Sequence, residues 1–423
     1  MSSKQSKHDI QAALLCAGKA TRLHPLTITR PLALLPLAGK PLIDHIIREL
    51  EDAHIDNIVA VTGYKGNMLR AYLKRIRGAG HDVSAVRQTS VSGTADAVAT
   101  AAMAADSDMA VLYVDSLIDA SAMKLGLEMF QRENADVVML TGRVADPSAY
   151  GVLEVEGDHI IRVLEKPQPR RRLEALVNAG CYFIKRDAAH VAAETATHKV
   201  RKEREFTTTI QRLIDDGKLV LSCEIARGRW IDMGRLWNLL DANEHLLMRN
   251  PLTILGEIEA GVTVKGKVGG GEGSLVRSGT YLEGPIVIGT SCDIGPNCYV
   301  RGSTHIGNNV RVGNGVEIKN SIVMDGTHIE HLSYVGDSII GERCNLGAGT
   351  ITANLRLDDK SVKILVKGVV TDSGRRKLGA IVGDGVKTGV NVSLMPGVKL
   401  GPACQIGPHL KVEKDVEPNT FHR

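Results

Sequence analysis

The stretch LEGPIVIGTSCDIGPNCYVRGSTHIGNNVRVGNGVEI, residues 282–318, carries an aliphatic residue at every sixth position: Leu282, Ile288, Ile294, Val300, Ile306, Val312 and Ile318. Glycine follows the aliphatic residue at Gly289, Gly295, Gly307 and Gly313. The register then shifts and runs on through Ile329 and Val335, and through Ile340 and Leu346. It resumes at Val382, Thr388, Leu394, Leu400, Ile406 and Val412. Self-similarity at a fixed short period is the mark of a solenoid, and a period of six is the mark of a parallel β-helix. One aliphatic side chain in six points into a narrow prism, three hexapeptides complete a coil, and glycine is expected at turn positions with φ > 0. Such a prism has little room for rings, which matches the four aromatic residues after position 245: Tyr281, Tyr299, Tyr334 and Phe421. Residues 353–380 break the repeat and bring Lys360, Lys363, Lys367, Arg375, Arg376 and Lys377 with few acids. They read as an excursion from the coil, either a solvated loop or an arm that holds a phosphorylated ligand.

Working outward, the 423 residues predict two or three domains with ample core. Residues 1–245 contain 15 of the 44 glycines and residues 246–423 the other 29, so a boundary falls near Asn250-Pro251: residues 1–250, then 251–423. A net charge of +4 and 3% aromatic residues do not point to nucleic acid. The seven cysteines are odd in number and show no C-x-x-C spacing, as expected of reduced thiols in a cytoplasmic protein. The polar start Met1-Ser2-Ser3-Lys4-Gln5 predicts no signal peptide, and no apolar run is long enough to span a bilayer.

The first part alternates short apolar runs with amphipathic ones. Strands are expected at 12–16, 57–62, 109–114, 137–141 and 181–184, and helices at 41–52, 65–77, 96–105 and 123–134. This is the α/β pattern of βαβ units, and it predicts a mostly parallel, Rossmann-like sheet with ligands at the carboxyl ends of its strands. After the first strand, Ala17-Gly18-Lys19-Ala20-Thr21-Arg22-Leu23 is a small-residue loop that can bring backbone N–H groups against phosphates, with Arg22 as a permanent planar charge.

That loop and its continuation through Pro31-Leu32-Ala33-Leu34-Leu35-Pro36-Leu37-Ala38-Gly39-Lys40-Pro41 resemble the signature of sugar-1-phosphate nucleotidylyltransferases. Further segments resemble the same family in order. Gln88 with Ser92-Gly93-Thr94-Ala95 is similar to its base-reading loop, and Val111-Leu112-Tyr113-Val114-Asp115 to its strand ending in a metal aspartate. Tyr150-Gly151-Val152, Glu165-Lys166-Pro167 and Asn178-Ala179-Gly180 are similar to its sugar and phosphate elements, and Trp230-Ile231-Asp232 to the segment with the second metal aspartate. The resemblance implies that Gly18, Gln88, Gly93, Thr94, Gly151, Glu165, Lys166 and Asn178 bind substrate. It also implies that Asp115 and Asp232 hold Mg²⁺ and that Arg22 acts on the phosphates. The chain departs from the family pattern at Ala20 and Val114, where glycine is usual, and at Leu32, where lysine is usual.

In the second part, Glu317-Ile318-Lys319-Asn320, His331-Leu332-Ser333-Tyr334-Val335-Gly336-Asp337 and Asn345-Leu346-Gly347-Ala348-Gly349-Thr350 stand close together. They resemble the acetyltransferase half of bifunctional N-acetylglucosamine-1-phosphate uridyltransferases. The Ser373-Gly374-Arg375-Arg376-Lys377 arm resembles the archaeal members. The resemblance implies a left-handed parallel β-helix of hexapeptide repeats in which His331 is the base for an amine proton, a role suited to an imidazole titrating near neutrality. Arg301, Lys319 and Tyr334 would hold the sugar phosphate, and Asn345 the sugar or the amine that the base activates. A backbone amide at Gly347-Ala348 would face the oxyanion, and Lys363, Lys367, Arg375 and Lys377 would hold coenzyme A phosphates. It further implies a homotrimer, or a multiple of trimers, that uses acetyl-CoA, UTP or dTTP, and glucosamine 1-phosphate or galactosamine 1-phosphate. The departures leave a second reading of the first part, as a binding, regulatory or assembly module beside an active acetyltransferase.

Overall fold

In the computed structural model, the residues described are 10–90, 92–148, 150–165, 174–198 and 202–423. They divide into two compact units. The first holds the described residues up to Lys19, with Pro31–Leu34 and Leu42–Asp232; the second holds Ala20–Arg30, Leu35–Pro41 and Met233–Arg423. The composition shift at position 250 therefore misses two stretches of the N-terminal signature, and a helix at Asn238–Arg249, that count with the second unit.

The first unit is built on a nine-stranded sheet. Val83–Arg87, Ile58–Thr62, Ile10–Cys16 and Asp108–Tyr113 run parallel. Helices Leu42–Asp52, Gly66–Gly78 and Thr94–Ala102 fall between these strands in sequence, which is what parallel crossovers require. The strand Ala175–Ile184 then inserts antiparallel to both Asp108–Tyr113 and Val137–Val144. Gly151–Glu156 and His159–Glu165 are joined by only Gly157-Asp158, so they pair antiparallel. The expected mostly parallel sheet is thus corrected to a mixed one. Its core gathers Leu15, Val61, Val111, Val137, Met139, Tyr182 and Ile184.

The second unit contains three parallel sheets of nine, eight and seven short strands. Glu257 pairs with Leu275, and Leu275 with Asp293, so each coil advances eighteen residues. The register shift is a coil one residue shorter, in which Arg311 pairs with His328. Leu282, Ile288, Ile294, Val300, Ile306, Val312 and Ile318 are buried in one continuous core. At roughly 1.5–3 kcal/mol per buried aliphatic side chain, this column is the main term favouring the coil.

Glycine serves the coil in two ways, and the expected one is present: Gly273, Gly279, Gly295, Gly315 and Gly349 all have positive φ. At many turns with φ > 0 the residue is not glycine but Ser291, Asn309 or Asn320. Gly289 and Gly313 have no positive φ; a Cβ there would lie 2.6 Å and 1.9 Å from backbone atoms of the next coil. They are small because coils approach closely, not because the backbone is left-handed. The excursion is present: Ile339 pairs with Ile381, and the intervening chain forms the hairpin Lys363–Val366 and Val369–Asp372. Its turn residues, Lys367 (φ 49°) and Gly368 (φ 79°), both have positive φ, as a twisted two-residue hairpin needs.

Ala20 occupies the left-handed region (φ 47°, ψ 48°), at a place where the related family has glycine. An alanine there costs about 1–2 kcal/mol, partly offset by the greater unfolded-state freedom of glycine. Ala20→Gly is expected to leave stability unchanged or raise it by up to about 1 kcal/mol. Thermal unfolding reads this directly, and a clear drop in melting temperature would contradict the left-handed assignment.

Candidate functional sites

In the first unit the carboxyl ends of the parallel strands carry the expected loops. Ile10–Cys16 leads to exposed Gly18, where no heavy atom lies within 4 Å of the position a Cβ would take, so a ligand can approach the backbone. Gln88 follows Val83–Arg87 and is buried; its side-chain amide donates to Asp96 (2.6 Å) and to the Gly93 carbonyl (3.2 Å). It therefore shapes the loop at 92–95 from within. Gly93 has φ 140°, and a Cβ on it would sit 2.3 Å from the Arg204 carbonyl oxygen. Thr94 opens the helix Thr94–Ala102 and accepts from the Phe206 N–H (2.9 Å).

Arg204 is a residue that the sequence did not single out. Its N–H donates to the Ser92 carbonyl, its guanidinium reaches Asp96 (3.3 Å), and its carbonyl receives the Ala95 N–H. It clamps both sides of Gly93. Gly93→Ala is expected to displace this loop and raise the KM for nucleotide at least about tenfold, the equivalent of 1.4 kcal/mol. Nucleotide titration of the variant measures it; wild-type affinity would contradict it.

The sugar elements converge. Gly151 stands opposite Glu165 in the antiparallel pair. Val177 pairs with Val152, which sets Asn178 beside them. A bulge between Asn178 and Cys181 turns Asn178 so that it accepts from the Gly180 N–H (2.9 Å) and donates to the Tyr182 hydroxyl. Burial pushes the Tyr182 phenol well above its ordinary value, so it stays protonated and bonds onward to Tyr113 (3.2 Å). Lys166 lies outside the described residues.

Asp232 is at the end of Trp230–Asp232, which pairs antiparallel with Ser116–Ile118; Asp232 faces Ser116, the neighbour of Asp115. The Tyr150 hydroxyl donates to Asp232 (2.5 Å), and the Tyr150 ring packs edge-on against Trp230. Both carboxylates are half-buried hard oxygen donors, Asp232 at a strand end and Asp115 in the turn just before Ser116, the pairing partner of Asp232. Among the described residues no cluster of three or more His, Cys, Asp or Glu could hold a metal. One or two carboxylates are what Mg²⁺ takes from a protein, its octahedron being completed by water and substrate phosphate.

The departures acquire locations. Leu32 is 5% exposed in the turn Leu32–Leu34 beside Leu42–Asp52, so it is a core residue. Val114 is also buried. Arg22 sits half-buried in the turn Thr21–Leu23, on a stretch that counts with the second unit. Arg30, a possible substitute for the missing lysine, is committed elsewhere: it is buried and paired with Glu342 and Asp384. The cysteines form no disulfide, and burial pushes Cys16 up to about 12 and Cys404 to about 11, which leaves them inert thiols.

In the second unit, one sheet aligns the anion-binding candidates. Arg301 pairs with Lys319, and Lys319 with Gly336; Glu317 pairs with Tyr334. Asp337, not selected from the sequence, organises them: it accepts from Lys319 (3.1 Å), Asn320 (2.7 Å) and Asn354 (2.6 Å), and is itself buried. Asn354 also donates to the Tyr334 hydroxyl (3.0 Å). Burial raises the Tyr334 phenol, as do the charges of Asp337 and Glu317, against the Asn354 bond, so it remains a hydrogen-bond donor. Arg301 pairs with Glu317 (3.0 Å).

His331 follows the strand His328–Ile329, and its side chain is 66% exposed. Its carbonyl accepts from Ser333 and Gly349, which fixes the backbone. Glu330, also missed, lies between the two imidazoles, 3.1 Å from His328 and 3.9 Å from His331. Asn345 is exposed on the next strand of that sheet, paired with His328 and Lys387. The Gly347 N–H is taken by Thr388, whereas no hydrogen bond of the Ala348 N–H is found among the described residues. On the arm, Lys363, Lys367 and Lys377 are exposed. Arg375 is half-buried, and its guanidinium pairs with Asp241 on the helix Asn238–Arg249.

Comparisons with known proteins fall on both units. A family model described as nucleotidyl transferase matches residues 11–249, and one described as the GMPPB C-terminal domain matches 282–393. The chain is 40% identical over 413 residues to the protein called bifunctional protein GlmU of Methanococcus maripaludis, covering 97% of each. It is 36% identical over 419 residues to the bifunctional sugar-1-phosphate nucleotidylyltransferase/acetyltransferase of Sulfurisphaera tokodaii, covering 98% of this chain and all of that one. A solved UDP-glucose pyrophosphorylase bound to UDP-glucose covers 57% of the chain at 24% identity and a TM-score of 0.51, a likeness of fold. The chain belongs to the nucleotidyl transferase family, in its branch of bifunctional sugar-1-phosphate nucleotidylyltransferase/acetyltransferases.

Proposed function

We propose that this chain is a two-site enzyme of UDP-N-acetylhexosamine synthesis, residues 1–250 forming the nucleotidyltransferase part and 251–423 a left-handed hexapeptide β-helix with acetyltransferase activity. The observation that carries it is the match to bifunctional relatives over 97% of the chain, which spans both sets of candidate residues.

In the second part the amine of glucosamine 1-phosphate, or of galactosamine 1-phosphate, attacks the thioester carbonyl of acetyl-CoA. His331 takes the amine proton, the new C–N bond forms, and the C–S bond breaks to release the coenzyme A thiolate. Ala348 N–H stabilises the tetrahedral oxyanion, while Arg301, Lys319 and Tyr334 hold the sugar phosphate. Lys363, Lys367 and Lys377 supply charge for coenzyme A phosphates. The hairpin also exposes Leu365, Val369 and Val370, which supports docking against a second copy in a homotrimer.

In the first part an oxygen of the N-acetylhexosamine 1-phosphate attacks the α-phosphorus of UTP, or dTTP, in line and expels pyrophosphate. Mg²⁺ held by Asp115 and Asp232 would neutralise charge on the phosphates. Gly18, Arg22 and Lys166 position the phosphates, Gln88, Gly93 and Thr94 form the base pocket, and Gly151, Glu165 and Asn178 hold the sugar. Among the described residues no helix is long and apolar enough to cross a membrane. The proposed enzyme is cytoplasmic and acts on small molecules rather than nucleic acid.

Steady-state assays test both halves. Coenzyme A release from acetyl-CoA with each amino-sugar phosphate, and pyrophosphate release from UTP and dTTP with the acetylated sugars, are both expected. Release of coenzyme A without pyrophosphate from any nucleotide would favour the second reading, which rests on buried Leu32 at the place of a phosphate-contacting lysine.

A further inference from the structure

Arg30 is 7% exposed, and its two terminal nitrogens are each spent on a carboxylate of the coil, Glu342 and Asp384. Thr29 adds a hydrogen bond to Asp384 (2.6 Å), and the other Asp384 oxygen accepts the Glu342 N–H (2.8 Å). The two acids sit one coil apart, just after the paired strands Ile339–Ile340 and Ile381–Val382. Their charges and hydrogen bonds hold the guanidinium protonated against the opposing effect of burial. Removing one partner of such a buried group leaves an uncompensated charge. The segment that Arg30 ends is itself held by packing and hydrogen bonds. Leu23 and Leu26 are buried, Thr27 bonds back to the Ala20 carbonyl (3.0 Å), and the Leu26 and Ile28 N–H groups close short turns. Arg22 is carried on this segment, eight positions before Arg30. A buried cluster of three charges costs desolvation and is a weak source of stability, so its retention here calls for a positional role.

We infer that Arg30, with Glu342 and Asp384, is a positioning device for nucleotidyl transfer: coil residues hold the segment 20–30, and with it Arg22, in the conformation that the transferred phosphates require. The inference rests on the proposed role of Arg22 in the first reaction. It makes that reaction depend on two acids of the acetyltransferase coil, whereas acetyl transfer has no need of Arg30.

The test uses the full chain in three forms: Arg30→Met, Arg30→Lys, and the neutralised triple variant Arg30→Met/Glu342→Gln/Asp384→Asn. Hydrogen exchange of the amides of residues 20–30 reports the anchor, and the two assays report the reactions. In Arg30→Met, exchange at 20–30 is expected to quicken and the kcat for pyrophosphate release to fall at least tenfold, with kcat for acetyl transfer within twofold of wild type. Arg30→Lys should recover part of the loss. The triple variant leaves no unpaired buried charge and should be folded, yet still be impaired in pyrophosphate release. Normal pyrophosphate release in the folded triple variant would overturn the inference. So would a parallel loss of both reactions in all three forms, which would make Arg30 a stability residue only. Wild-type protein that released no pyrophosphate would instead overturn the reading of the first site, while unchanged exchange at 20–30 would overturn the anchor itself.

Discussion

His331→Ala is expected to lower acetyl transfer by at least about 10²-fold, the low end for loss of a general base, while pyrophosphate release stays at its wild-type rate. The case is chemical and positional. The amine of a sugar must lose a proton as it attacks a thioester, and His331 is an imidazole on a fixed backbone, its carbonyl held by Ser333 and Gly349. Asp337, Lys319 and Tyr334 form a tight polar network on the adjoining sheet, which suits a phosphate-bearing substrate. Because the His331 side chain is 66% exposed, its removal leaves no cavity, and melting temperature should barely move. Glu330→Gln is the companion variant. At 3.9 Å it touches His331 only loosely, so a smaller effect confined to acetyl transfer is expected, with the pH profile of kcat as its readout. Full acetyl transfer in His331→Ala would remove the base assignment altogether.

The coil was readable in advance because its rule is local. Each burial in the column from Leu282 to Ile318 repeats at a constant spacing, so one residue predicts the next. The strands and helices of the first unit were legible for the same reason, but their pairing was not. Nothing within Ala175–Ile184 says that it will run antiparallel between two other strands, since that depends on partners as far away as Leu112. Residue types at the sites were equally legible, whereas their partners were not. Arg30 has no visible role in the sequence, because its partner Asp384 lies 354 residues away. The Asp241 partner of Arg375, 134 residues away, is equally invisible in the sequence. Ala20 shows the reverse relation: its left-handed backbone explains why the related family has glycine there, although the sequence alone presents it as a defect.

Asp232→Asn should be the most damaging single change to the first reaction. The asparagine is isosteric, and its oxygen can still accept from Tyr150, so the pairing of Trp230–Asp232 with Ser116–Ile118 should persist. What is lost is one of the two negative charges that, on the proposed function, gather a divalent cation and a triphosphate. With Asp115 alone, pyrophosphate release is expected to fall at least about 10²-fold, about 2.7 kcal/mol at 1.36 kcal/mol per decade. The residual rate should require a higher Mg²⁺ concentration than wild type. Acetyl transfer should be untouched, and a chelator added to wild-type protein should likewise stop pyrophosphate release while coenzyme A release continues. This dissociation is the decisive feature, because a merely structural role for Asp232 would lower the melting temperature without changing the Mg²⁺ requirement. If Asp232→Asn kept both its rate and its wild-type Mg²⁺ dependence, the carboxylate pair would not be the metal site, and the hydrogen bond from Tyr150 would be its whole purpose.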